Sequence, residues 1–196
     1  RLLTAGTACA LGKKYTPLSL AKSLQLRGLR ADFRATGQTG ILISGSGLPM
    51  DAVVADFVAG ASELLSPDAH PEHWDVIEGQ GSLFHPSYAG VSLGLLHGSQ
   101  PDVVVLCHEA GRDFLMGLES YRTPGLLETM DLTLKLGSRT NPHIRCAGGA
   151  INTSRLSTRQ ARSTLARHAA ESGLPTAEPM RGGPEFEQLV DCCLEQ

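Results

Sequence analysis

Gly6-Thr7-Ala8-Cys9-Ala10-Leu11-Gly12-Lys13 decides the fold. It follows the apolar opening Arg1 to Ala5 and leads into a helical pattern from Thr16, so the stretch reads as strand, phosphate-cradling loop and helix. Small residues let successive backbone N–H groups point inward. The following helix presents its positive dipole end, and a lysine reaches the outer phosphates. Lys13 is the candidate lysine. In the common form G-x-x-x-x-G-K-[ST], the first glycine would stand at Thr7 and a magnesium-binding hydroxyl at Lys14. Gly6 therefore lies one residue too far from Gly12, and Thr16 is the nearest hydroxyl, two residues late. The alternative is a glycine-rich strand-to-helix turn that binds nothing.

Outward from the loop, the whole chain sets bounds on its partners. Seventeen Lys and Arg stand against 20 Asp and Glu, a net charge of −3, so no basic field points to nucleic acid or an anionic membrane. Any anion site must be local. No apolar run approaches the roughly 20 residues that span a bilayer, and the expectation is a soluble, cytoplasmic protein. The 196 residues fit a single domain over 1–196. The five cysteines, Cys9, Cys107, Cys146, Cys192 and Cys193, are odd in number and form no C-x-x-C pair. That argues against a disulfide framework and a zinc site and for reduced, mostly buried thiols. Arg1 already lies inside a strand pattern, so a preceding N-terminal domain is expected outside this chain.

After the loop, Pro17, Leu18, Ala21, Leu24 and Leu26 predict a helix that Gly28 stops. Ala31 to Thr36 reads as a short strand, and Gly37-Gln38-Thr39-Gly40 as a strand-end loop whose Gln38 and Thr39 offer hydrogen bonds to a ligand. Met50 to Leu65 carries apolar residues at helical spacing (Val53, Val54, Phe57, Val58, Ala61, Leu64) and reads as one helix with Asp51 in its first turn and Asp56 at its middle. Tyr88 to His97 and Leu126 to Leu136 also read as helices. His143 to Ala147 and Leu174 to Pro179 read as strands. Ser157 is expected to cap an arginine-rich helix ending at Gly173, and Pro184 to Leu194 a closing helix.

A second informative stretch is His73 to Pro86, a buried strand ending in Glu78-Gly79-Gln80-Gly81. In P-loop proteins an acid at the end of a neighbouring strand holds magnesium, because a hard cation bridging phosphates needs an oxygen ligand there. Glu78 is that candidate, with Thr16 as second metal ligand only if ATP and Mg²⁺ are bound. His85 is a candidate general base or a plain loop histidine. Val103 to His108 is the most continuous β-branched run and predicts a central parallel strand. Its end delivers Arg112, suited to bidentate contact with phosphate or carboxylate, and Cys107, read as packing.

Strands alternating with helices imply an α/β fold, a mainly parallel sheet with helices on both faces, and the loop makes it P-loop NTPase-like in three layers. Two motifs, Gly6 to Lys13 and Glu78-Gly79-Gln80-Gly81, resemble dethiobiotin synthetase in the same order. Together with Ala35 to Ile41, Asp51 to Phe57, Glu78 to Pro86 and Leu93 to Gly98, they resemble the C-terminal P-loop domain of the D-glutamate N-acetyltransferase family. That family carries a further Rossmann-type N-terminal domain, acts with a dehydrogenase-type partner, and usually has Met-Thr where this chain has Lys14-Tyr15.

The resemblance implies acetyl transfer from acetyl-CoA to the amine of D-glutamate. Phosphates would then be held by Gly6, Thr7, Ala8, Cys9, Ala10, Leu11, Gly12, Lys13 and Lys14, aided by Gln38, Thr39 and Arg112, with Glu78 or His85 as base. A homo-oligomer is expected. The dethiobiotin-synthetase resemblance implies instead ATP with Mg²⁺ and carboxylate ligation, and a third reading is a nucleotide-binding regulatory module.

Overall fold

A computed structural model describes residues 1–195. In chain order it holds β1 (Leu2–Gly6), α1 (Tyr15–Leu26), β2 (Arg30–Arg34), α2 (Gln38–Ser44), α3 (Val58–Leu65), β3 (His73–Ile77), α4 (Ala89–Ser99) and β4 (Val103–Glu109). Then come β5 (Phe114–Leu115), β6 (Leu118–Arg122), α5 (Leu126–Gly137), β7 (Arg145–Asn152), α6 (Thr158–Ser172), β8 (Thr176–Ala177) and α7 (Pro184–Leu194). Six strands form one sheet in the order β2-β3-β1-β4-β7-β8, and every neighbouring pair is parallel. The expected α/β architecture is present.

Two-residue alternation in the strands explains the three layers. On β4, Val103, Val105 and Cys107 join Leu2 and Val76 under Leu20 and Leu24 of α1 and Leu189 and Val190 of α7. Val104 turns the other way, with Leu3 and Ile77, against Leu65 of α3 and Leu95 and Leu96 of α4. Leu106 and Ile151 meet Leu126 of α5 and Leu165 of α6. A strand covered on both faces must be apolar at every position, which is why the Val103–Leu106 run marks the centre of the sheet. Each such leucine contributes about 1.5–3 kcal/mol by leaving water. Among the described residues no helix is long and apolar enough to cross a membrane.

Several expected elements differ. Gln38 and Thr39 open α2 rather than lying in a loop, with Gly37 as its extended N-cap. Met50 to Leu65 is not one helix but two 3₁₀ turns, Met50–Ala52 and Ala55–Phe57, followed by α3. Val54, Phe57 and Leu64 are accordingly exposed, because the broken axis removes the single face that their spacing implied. Of Leu174 to Pro179 only Thr176 and Ala177 pair, as the edge strand β8. β7 runs on to Asn152, five residues beyond the expected end, because β4 pairs with it as far as Glu109. The β5–β6 hairpin had no sequence signal. Two termini match: Ser157 caps α6 in a reciprocal box with Gln160, and Gly173 closes it at φ 69°.

Candidate functional site

Three hydrogen bonds pin the start of the loop. The Thr7 N–H donates to the Cys107 carbonyl at 3.1 Å, Ser82 Oγ donates to the Thr7 carbonyl at 3.0 Å, and Thr7 Oγ1 lies 3.0 Å from His108 Nδ1. Lys13 then folds back under the loop. Its side chain is 6% exposed, and Nζ donates to the Ala8 carbonyl at 2.5 Å. Burial pulls its pKa down, partly offset by the Cys107 and Cys9 thiols. Ala10 at φ 55° and Gly12 at φ 114° take left-handed backbone, the alternation that turns successive amides to one side. Among the described residues no protein acceptor takes the N–H groups of residues 8–14. The loop faces inward with its donors open.

Before it lies a cavity of about 660 Å³, within the range of small-molecule sites. Residues 9–15 form one wall. The start of α2, Asp51, Glu78 to Gly81, Tyr88 and Met116 from the hairpin tip line the rest. Glu78 is 4% exposed. Its Oε2 accepts from the N–H groups of Thr36 and Gly37, both at 3.0 Å, and so holds the first turn of α2. A Cβ on Gly40 would stand 2.2 Å from that oxygen, so α2 comes this close only because residue 40 is glycine. Glu78 Oε1 has no protein partner among the described residues. Gln80 Nε2 donates to Thr36 Oγ1 at 2.9 Å, fixing the same corner.

The cavity gathers most, not all, of the expected residues. Cys9 to Lys14, Gln38, Thr39 and Glu78 line it. Gly6, Thr7 and Ala8 form the loop's base behind that surface. Arg112 stands outside, where its guanidinium donates to the Cys9 carbonyl at 2.7 Å and pairs with buried Glu109. It braces the loop from behind. His85 is also outside: Nδ1 accepts from the Ser87 N–H at 3.1 Å and the ring packs 4.5 Å from Tyr88. The Thr16 hydroxyl is buried and accepts from the Cys107 thiol at 3.6 Å. Cys107 is fully enclosed, as its packing role implied.

Behind Thr7 sits a histidine pair. His108 and His168 rings meet edge to face at 5.4 Å. Burial, then His168, Arg167 and Arg112, push the His108 pKa down to about 4.

Sequence reasoning did not assign Asp51, Gln80, Tyr88 or Met116 to the site. Gln80 lies inside the Glu-Gly-x-Gly motif and could have been found there. Asp51 was read as a helix-terminal acid because the 3₁₀ turn that aims it was not visible.

Comparison with known proteins agrees with this geometry. The family described as "Domain of unknown function (DUF1611_C) P-loop domain" matches residues 1–190. A protein from Pseudoalteromonas sp. named D-glutamate N-acetyltransferase is 51% identical over 183 residues, 93% of this chain and 55% of that protein. The chain thus spans about half the length of that relative. A crystal structure of a DUF1611 family protein from Anabaena variabilis is 37% identical with a TM-score of 0.93, covering 99% of this chain and 56% of the other. Cobyrinic acid a,c-diamide synthase from Mycobacterium smegmatis, solved with ADP and magnesium, shares the fold at a TM-score of 0.57 and 16% identity, over 97% and 90% of the two chains. The open-amide loop, the acid ending β3 and these matches agree: the chain belongs to the DUF1611 family, as its C-terminal P-loop domain.

Proposed function

We propose that this chain holds the phosphates of acetyl-CoA at the Gly6–Lys13 loop and serves acetyl transfer to the amine of D-glutamate. One observation carries the loop's part: residues 8–14 present N–H groups that no acceptor among the described residues takes, over a buried lysine. A turn with a purely structural role pairs its own amides, since each one buried without a partner costs about 1–3 kcal/mol. An unbroken row of open donors at a helix N-terminus answers instead to an anion from outside the chain. Lys13 and Lys14 add positive charge to the same wall.

The chemistry is taken from the Pseudoalteromonas relative's name. Acetyl transfer joins the substrate nitrogen to the acetyl carbon, breaks the C–S bond and releases the CoA thiol. The ammonium first gives one proton to a base. Glu78 takes that role in this reading, because Oε1 has no partner among the described residues and the residue lines the cavity, whereas His85 stands outside it. The cytoplasmic placement, the homo-oligomer and the dehydrogenase-type partner expected from the resemblance belong to the same proposal.

Calorimetric titration with CoA, and separately with ATP with and without Mg²⁺, tests the reading against a Lys13→Ala control. CoA binding that Lys13→Ala weakens at least tenfold supports it, roughly the effect of one charge-assisted contact. Magnesium-dependent ATP binding without CoA binding would replace it with the ligase or regulatory reading.

A further inference from the structure

A planar peptide carries its C=O and its N–H on opposite sides, so a carbonyl held on one side fixes the next residue's amide on the other. Successive peptides of the loop are held in this way. Ser82 Oγ donates to the Thr7 carbonyl at 3.0 Å, Lys13 Nζ to the Ala8 carbonyl at 2.5 Å and the Arg112 guanidinium to the Cys9 carbonyl at 2.7 Å. The amides of Ala8, Cys9 and Ala10 are thereby turned away from those donors, and no acceptor among the described residues takes them. Ser82 and Arg112 do not line the cavity, whereas Cys9 and Ala10 do.

We propose that Ser82 and Arg112 are positioning residues for the anion loop: by holding the Thr7 and Cys9 carbonyls they keep the Ala8 and Ala10 amides turned toward a phosphate that neither side chain touches. The inference rests on the loop reading proposed above and adds what keeps the loop in its binding form.

Two independent features support it. Ala10 has φ 55°, a left-handed conformation unfavourable for a residue with a Cβ. Rotating the Cys9-Ala10 peptide by half a turn returns that φ to the ordinary negative range and exchanges the Ala10 N–H for the Cys9 carbonyl on the cavity side. The relaxed peptide is thus the one that repels an anion, and a contact from outside the loop must oppose it. The second feature is that both holding groups are themselves fixed. Arg112 pairs with Glu109, which is 5% exposed at the end of β4, and the planar guanidinium can hold Glu109 through one nitrogen and the Cys9 carbonyl through another. Ser82 is buried, and its Oγ accepts from the Phe84 N–H at 3.2 Å, which leaves its proton for Thr7.

The test titrates the full-length parent and its variants with CoA and with inorganic pyrophosphate. Arg112→Met is expected to weaken both by about tenfold, the worth of one hydrogen bond to a charged group. Ser82→Ala changes no charge and deletes a single oxygen, so it reports even where an arginine variant folds poorly, and it should weaken both by about fivefold. Glu109→Leu removes a negative charge beside the loop but releases Arg112, so it should also bind more weakly, whereas an effect of charge alone would tighten binding. Adding Ala10→Gly to Arg112→Met should recover part of the lost affinity, because glycine takes a positive φ without steric cost; a general loss of stability, followed by urea denaturation, gives no such recovery. Parent-like affinity in Arg112→Met or Ser82→Ala, tighter binding by Glu109→Leu, or a double variant no better than Arg112→Met overturns the inference and leaves the loop reading standing. A parent that binds neither probe overturns the loop reading and the inference with it.

Discussion

A Cβ built on Gly79 would stand 1.7 Å from the carbonyl oxygen of Thr4. The approach lets the Gly79 N–H donate to Thr4 Oγ1 at 3.0 Å, while that hydroxyl donates to the Lys13 carbonyl at 2.8 Å. One threonine thus ties the end of β3 to the loop. Gly79→Ala must force these backbones apart and is expected to cost roughly 3 kcal/mol, the upper range for overpacking. Urea denaturation measures it. Gly90→Ala, in α4 with nothing near its Cβ position, serves as control and should be neutral or slightly stabilising. Equal effects of the two substitutions would contradict the account.

The His108 pKa gives stability a pH dependence of known sign. The unfolded chain binds a proton at this residue near pH 6.5, whereas the folded chain does so only near about 4. The unfolded state therefore holds more protons between those values. The contribution is whole above pH 6.5 and declines by about 1.4 kcal/mol for each pH unit below it, toward pH 4. Denaturation midpoints at pH 7 and pH 5 should differ less in His108→Gln than in the parent. His168, also pushed down by burial and then by Arg167, retains part of the slope.

Cysteine reactivity should follow burial. Cys9, Cys146 and Cys192 are partly exposed, and burial also raises the pKa of the Cys9 and Cys192 thiols. Cys107 is enclosed, and burial raises its pKa and pushes those of Cys146 and Cys193 up to about 11 and about 12. Iodoacetamide at pH 8 should label Cys9 and Cys192 first, with sites assigned by peptide mass. Because Cys9 lines the cavity, CoA at saturation should slow its labelling and leave Cys192 unaffected. Labelling of Cys107 as fast as Cys9 would argue against the enclosed position.

The phosphate loop, the acid ending β3 and the central strand were legible because each rests on local rules: small residues before a lysine, an apolar run closed by an acid, a strand without polar positions. What stayed hidden depends on distant parts. Arg112 has the right chemistry for a phosphate contact, yet Glu109 and the Cys9 carbonyl turn it to the back of the loop. Thr16 has the right hydroxyl, but the start of α1 aims it at Cys107. The apolar spacing from Met50 to Leu65 suits a helix, but Met50 is drawn down to Thr36 and breaks the axis. That same break aims Asp51 into the cavity.

The sheet order also dictates when the loop can exist. β1 precedes the other strands of this sheet in the chain but lies between β3 and β4, and the Thr7 N–H finds its acceptor on Cys107, a hundred residues later. At synthesis rates of about 5–20 residues per second, β1 waits roughly 5–20 s for that partner. Until β3 is made the nascent chain carries an apolar strand without a neighbour on either side, and until β4 is made one side stays open. The loop that opens on the cavity is thus among the last features of this domain to be fixed, although its residues precede the strand that holds it.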